Sequence, residues 1–93
     1  MQLKKTKIAG IGFYVPENVV KNDDLKEVMD TTDEWIQERT GIKERRYVKR
    51  FKENTTTMAV EASKIAIERA GITANDIDFI IFATLSPDYF FEI

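Results

Sequence analysis

An α/β fold is what this sequence predicts, and three observations predict it. Phe79-Ile80-Ile81-Phe82-Ala83 is an unbroken apolar run of strand length, the pattern of a strand covered on both faces in a parallel sheet. Lys7 to Val15 mixes β-branched and aromatic residues and ends at Pro16, which reads as a first strand followed by a turn. Between the two runs the apolar residues recur at helical spacing. Strand, helical region and strand make a βαβ-type unit.

Asn22 opens the first helical stretch. It is a good N-cap residue, Asp23 and Asp24 suit a first turn, and Leu25, Val28 and Met29 form an i, i+3, i+4 stripe. A second short helix follows from Thr32 to Thr40. Thr31 with Glu34 three residues later is a capping-box pattern, so Thr31 is the expected N-cap and Gly41 the left-handed stop. The third helix starts after Asn54-Thr55-Thr56-Thr57 and reaches Ala70, with Gly71 as its stop and Ile72 packing back on the last turn. Ala59, Ala62, Ala66 and Ala70 lie on one strip, so this helix is expected to be buried and to approach its neighbour closely. Thr73-Ala74-Asn75-Asp76 is another cap-like box that opens one more helical turn.

Composition narrows the function classes. Fourteen Lys plus Arg against 16 Asp plus Glu leave a formal charge of −2, which supplies no global pull toward nucleic acid or membrane. A hydrophobic fraction of 43% with 11% aromatic residues speaks for a globular piece and against disorder. The chain holds no cysteine and no histidine, which removes disulfides, thiolate or imidazole metal ligands and any thiol nucleophile. No metal site is expected. The basic start Met1 to Lys7 is followed by short apolar stretches broken by Gly10, Gly12 and Pro16, a poor signal peptide, and nothing reaches membrane-spanning length. A cytoplasmic protein is the expectation. At 93 residues the chain buries only a modest share of its unfolded surface, and a central strand such as Phe79 to Ala83 needs neighbours that so short a chain cannot all supply. Association or instability of the isolated segment is expected.

The chemistry-bearing constellation is the second helix. Thr31, Trp35 and Arg39 are each four apart, so they stack along one helical face. A hydroxyl, a flat aromatic and a permanent cation on one face suit a nucleobase and its phosphates, and a helix N-terminus favours an anion. Spacing alone leaves a second reading open, in which Trp35 and Arg39 make only a local cation–π contact. Gly10-Ile11-Gly12 is not a dinucleotide fingerprint, because position 15 is Val and position 16 is Pro where a third glycine and a helix are needed. The acidic pairs Asp23/Asp24, Asp33/Glu34 and Asp76/Asp78 sit at element ends, where negative charge has a local structural reason. Lys43, Arg45, Arg46, Lys49, Arg50 and Lys52 form a basic run against a single Glu44. That run is either a solvated edge or a surface for phosphate or an acidic partner.

The run Thr31-Thr32-Asp33-Glu34-Trp35-Ile36, then Arg39-Thr40-Gly41-Ile42 and Glu44-Arg45-Arg46, resembles the signature of β-ketoacyl-acyl-carrier-protein synthase III, of the thiolase superfamily. The resemblance extends over nearly the whole chain. It takes in Ile8-Ala9-Gly10-Ile11-Gly12-Phe13-Tyr14-Val15-Pro16, Asn22-Asp23-Asp24-Leu25, Ala70-Gly71-Ile72 and Asp78-Phe79-Ile80-Ile81-Phe82-Ala83-Thr84. It implies a layered α/β/α/β/α fold of two similar halves, of which residues 1–93 form the N-terminal segment of the first half, incomplete in this chain. Family members are several times longer and use a Cys nucleophile with a His and an Asn beyond this region. After Pro87-Asp88-Tyr89-Phe90-Phe91 the family pattern continues through a proline and small residues toward that Cys, whereas Glu92-Ile93 closes this sequence. A truncated piece, or a frame that stops early, is the expectation, inactive on its own.

The function implied is an acyltransferase that condenses an acyl-CoA primer of the acetyl-CoA type with malonyl-acyl carrier protein to initiate fatty-acid synthesis. In that scheme an acyl group moves to the cysteine, and decarboxylation of the malonyl group gives the carbanion that attacks it. By the resemblance, Trp35 and Arg39 hold the coenzyme A adenine and phosphates and Thr31 is a nearby contact. They bind and position without making bonds. The resemblance implies no resident cofactor, coenzyme A thioester being a substrate, with acyl carrier protein as partner and a homodimer in the complete enzyme. Two alternatives stand beside it: a thiolase-fold acyltransferase with a different acyl donor, and a truncated, non-catalytic association module.

Overall fold

The computed structural model describes residues 4–49 and 51–89. The predictions that fall on Met1 to Leu3, on Arg50 and on Phe90 to Ile93 lie outside the described residues. The chain divides into two units, one of Val15–Asn54 and one of Met1–Tyr14 with Thr55–Ile93.

The unit of Val15–Asn54 is built on a two-stranded antiparallel sheet. Strand β1 (Asn18–Lys21) pairs with β2 (Glu44–Tyr47) in the register Asn18 to Tyr47, Val19 to Arg46, Val20 to Arg45 and Lys21 to Glu44. The Asn22 N–H to the Lys43 carbonyl, 3.2 Å, continues the pairing by one step. Helix α1 (Asn22–Leu25) is a single turn whose entry is held by the Asp24 carboxylate, which accepts from the Lys21 N–H at 2.8 Å. The expected Asn22 cap is therefore corrected: Lys21 occupies the cap position and Asn22 is the first helical residue. The stripe is corrected too. Leu25 is half-buried, whereas Val28 and Met29 are exposed, because the turn ends before they can share a face.

Helix α2 (Asp33–Thr40) follows. Its N-cap is Thr32, not Thr31: the Thr32 hydroxyl accepts from the Trp35 N–H at 3.1 Å. The expected box is out by one residue: both neighbouring threonines are capable caps, and Thr32 has the extended backbone, φ −134° and ψ 157°, and the hydroxyl bond that start the helix. Gly41 closes it at φ 73°, with its N–H on the Gln37 carbonyl at 2.8 Å, as expected of a left-handed stop. Ile36 and Asn22 are buried at the centre of this unit, together with Pro16. Arg46 Nη1 donates to the Pro16 carbonyl at 2.8 Å and ties β2 to the segment that leads into β1.

In the other unit, helix α3 (Thr55–Ala70) lies against the extended segment of Lys7 to Tyr14. A Cβ at Gly12 would sit 2.5 Å from the Ala62 carbonyl oxygen and 2.6 Å from the Ala66 nitrogen, and one at Gly10 would collide with Ala66 and Ala70. The two glycines and the alanine strip thus let backbone approach backbone. The N-terminus of α3 is held from the far end of the chain: Asp88 Oδ2 accepts from the Thr56 N–H at 2.5 Å, and the Thr55 hydroxyl donates to the Ser86 carbonyl at 3.1 Å. Its C-terminus is a full Schellman closure, Gly71 at φ 70° with Ile72 N–H on the Ile67 carbonyl and Gly71 N–H on that of Glu68. The predicted turn at Thr73 is a 3-10 turn, Ala74–Asp76, with the Asp76 carboxylate on the Thr73 N–H at 2.9 Å.

Two expectations change here. Helix α3 is half-buried along its alanine strip and at Thr55, Thr56, Met58, Ile65 and Ile67, and exposed at its other positions, with no fully buried residue. The runs Lys7 to Val15 and Phe79 to Ala83 carry no ladder among the described residues, and Ile80 and Ile81 are 79% and 84% exposed. Parallel-type strands draw their bonds from neighbours on both edges, and the only ladder in the described residues is the antiparallel pair β1–β2.

Candidate functional site

Helix α2 places its functional side chains by local rules. Asp33 and Glu34 in its first turn and Arg39 in its last complement the helix dipole. The four-residue spacing brings the Arg39 guanidinium carbon to 5.3 Å from the Trp35 ring centroid. Trp35 is 54% exposed, so one side of the indole faces outward. The predicted pair is assembled, in the geometry of a cation–π contact.

Thr31 is placed differently from a third member of that helical face. It precedes the Thr32 cap and lines a shallow depression of about 220 Å³ together with Asp30, Thr32 and Trp35. Its Oγ1 is buried and has no hydrogen-bond partner within the described residues. A buried hydroxyl left unpaired costs about 1–3 kcal/mol, which marks a spot where an added donor or acceptor is favoured. Trp35 is shared between the depression and the Arg39 contact, so the three residues meet through the indole.

The helix is locked from behind by a polar network that sequence reading assigned only to capping. Asn22, 1% exposed, donates from Nδ2 to Asp33 Oδ1 at 2.7 Å and to the Ile42 carbonyl at 2.8 Å, and its Oδ1 accepts from Arg45 Nη2 at 2.6 Å. Gln37 Nε2 donates to both Asp33 oxygens, at 2.8 and 2.9 Å. The Gln37 bond first, and the Asn22 bond next, hold the Asp33 carboxyl below its ordinary value. The only sequence signal for this network is a polar residue, Asn22, in a run read as an amphipathic turn.

Part of the basic run is committed to the fold. Arg45 bonds the Val20 carbonyl at 3.1 Å as well as Asn22, and Arg46 bonds Pro16. Lys43, Lys49 and Lys52 are exposed. The acidic residues also have local partners: Asp23 pairs with Lys26 at 3.1 Å, while Asp24 and Asp76 cap turns. Among the described residues, no group of three or more His, Cys, Asp or Glu is placed to hold a metal ion. No helix among them is long and apolar enough to cross a membrane.

No family model matches the chain. A β-ketoacyl-[acyl-carrier-protein] synthase III of Clostridium perfringens is 53% identical over 88 residues, 95% of this chain and 26% of its own length. The crystal structure of 3-oxoacyl-[acyl-carrier-protein] synthase III from Aquifex aeolicus superposes with a TM-score of 0.75 at 49% identity, over 80% of this chain and 23% of that one. The priming β-ketosynthase of the R1128 polyketide pathway superposes with a TM-score of 0.76 at 34% identity, over 87% of this chain and 25% of that one. The chain thus spans about a quarter of the length of the curated relatives it matches. Sequence and backbone agree: over nearly its whole length the chain is similar to about a quarter of the β-ketoacyl-[acyl-carrier-protein] synthase III enzymes, which have a thiolase-like α/β fold.

Proposed function

We propose that this chain is the N-terminal, coenzyme A-binding segment of a synthase that condenses an acyl-CoA primer with malonyl-acyl carrier protein to initiate fatty-acid synthesis. The observation that carries the reading is the outward-facing Trp35 indole with Arg39 at 5.3 Å from its ring. The indole offers a face to the adenine and the guanidinium a planar fork to the phosphates. Thr31 supports it with a buried hydroxyl that has no partner among the described residues and lies in the depression lined by the same indole. These groups orient a thioester and make no bonds, and with no Cys and no His in the sequence the nucleophile and its base belong to further residues of the complete enzyme. No resident cofactor is required, since coenzyme A enters as the carrier of the acyl group. Acyl carrier protein, a homodimer and a cytoplasmic setting complete the reading, with no role for nucleic acid or membrane.

A second reading shares the site and changes the primer. The superposition on a priming ketosynthase of polyketide synthesis favours it, because a segment that grips the nucleotide end is indifferent to the acyl chain. The exposed Ile80 and Ile81 fit either reading, as a strand awaiting neighbouring chain, and are equally the surface of a non-catalytic association module. Condensation assays on the complete gene product with acetyl-CoA, branched and longer acyl-CoA primers, and malonyl-acyl carrier protein separate the three. Turnover with acetyl-CoA supports the first, turnover only with other primers the second, and stable self-association with neither turnover nor coenzyme A retention the third.

A further inference from the structure

The residue that sets the pose of α2 is Asn22. Asp33, which takes one Asn22 Nδ2 hydrogen, is the first residue of α2, and Ile42, whose carbonyl takes the other, lies two residues past its end. One carboxamide therefore clamps both ends of the eight-residue helix that carries Trp35 and Arg39. Its oxygen is fixed in turn by Arg45, which reaches across to the Val20 carbonyl of the sheet. The geometry calls for two donors and one acceptor on a single planar head. Aspartate would present no donor, and serine cannot span both partners. At 1% exposure the side chain is shut away from any ligand, so its task lies in what it holds.

We infer that Asn22 is a positioning residue for the nucleotide end of coenzyme A, acting through Asp33 and Ile42 to hold Trp35 and Arg39 in place. This rests on the coenzyme A reading of α2. A binding face works only while its supporting contacts keep it within a fraction of an ångström of its pose. Asn22→Asp preserves size and the Arg45 partner, but replaces both donors with a carboxylate oxygen set against the Asp33 carboxylate and the Ile42 carbonyl.

The test compares acetyl-CoA with acetyl-pantetheine, which lacks the nucleotide, in the complete gene product. In Asn22→Asp the KM for acetyl-CoA is expected to rise about tenfold, the scale of a displaced positioning contact, with the KM for acetyl-pantetheine unchanged. Adding Asp33→Asn, which returns one donor to the pair, is expected to recover part of the loss. An equal change for both thioesters, or none for either, overturns the inference. Should Asn22→Asp not fold, Asp33→Ala breaks the same clamp at one point and is read in the same way. If the wild type gives the same KM for both thioesters, the coenzyme A reading itself fails. Trp35 emission, taken as the difference from Trp35→Phe, then decides alone: a shift between wild type and Asn22→Asp upholds the positioning, and identical emission overturns it.

Discussion

The guanidinium carbon of Arg39 lies 5.3 Å from the centroid of the Trp35 ring, one turn along the same face of α2. At an exposed site such a contact is worth about 0.5–1 kcal/mol. That is enough to hold a long side chain beside the ring, and too little to explain the pair as a pillar of stability. Under the proposed function the pair receives the flat, anionic nucleotide end of coenzyme A.

Arg39→Lys tests whether the cation is used as a fork. Lysine keeps the charge and loses the planar pair of donors. The substitution is expected to weaken coenzyme A binding several-fold while thermal stability stays within about 0.5 kcal/mol of wild type, as for surface substitutions generally. Equal affinity in a calorimetric titration means a point charge suffices.

Gly12→Ala is expected to be destabilising without touching the ligand site. Its Cβ would lie 2.5 Å from the Ala62 carbonyl oxygen, a backbone atom that cannot move aside without shifting α3. Overpacking of this kind costs about 1–3 kcal/mol, readable as a lowered urea midpoint. An unchanged midpoint would mean that α3 does not approach the segment of Lys7 to Tyr14 this closely.

Gly41→Ala isolates backbone strain. Nothing lies within 4 Å of a Cβ there, yet φ is 73°, so the whole cost is conformational, about 1–2 kcal/mol. Gly41→Asn, which tolerates the left-handed region better, is expected to be milder. A denaturant series that ranks Ala above Asn in stability contradicts the left-handed closure of α2.

Acid should loosen both helix starts. Bonds from Gln37 and then Asn22 lower the Asp33 pKa, and bonds from Thr56, side chain first and backbone N–H next, lower that of Asp88. The unfolded chain therefore takes up these protons first as pH falls. The stabilisation is complete above the ordinary aspartate value and is lost as pH falls through the lowered folded-state values. The double variant Asp33→Asn/Asp88→Asn is expected to be less stable than wild type at neutral pH, with the gap closing in acid. A gap that persists unchanged at low pH contradicts the assignment.

What was legible in the sequence was local. Gly41 and Gly71 as left-handed stops, the Thr73 box and the Trp35/Arg39 pair all depend on residues within a turn or two of one another. The alanine strip was legible as a close-packing surface, and Gly10 and Gly12 as something other than a dinucleotide loop, although only the fold showed that they meet. Asn22 was read as a cap because its partners Asp33, Ile42 and Arg45 lie 11, 20 and 23 residues away, beyond any local pattern. The β1–β2 pairing is not legible because each strand has only four residues, without a clear alternation, and two helices separate them in the chain. Phe79 to Ala83 was over-read as a paired strand because an apolar run reports the burial a segment wants, while pairing requires a neighbour to be present.

The most direct test of the central claim is a calorimetric titration of coenzyme A into the complete gene product, wild type beside Trp35→Ala. Loss of a base–aromatic stack is expected to weaken binding by roughly 1–3 kcal/mol, with the melting temperature little changed because the indole is 54% exposed. Equal affinity in the two proteins would contradict a nucleotide platform on α2.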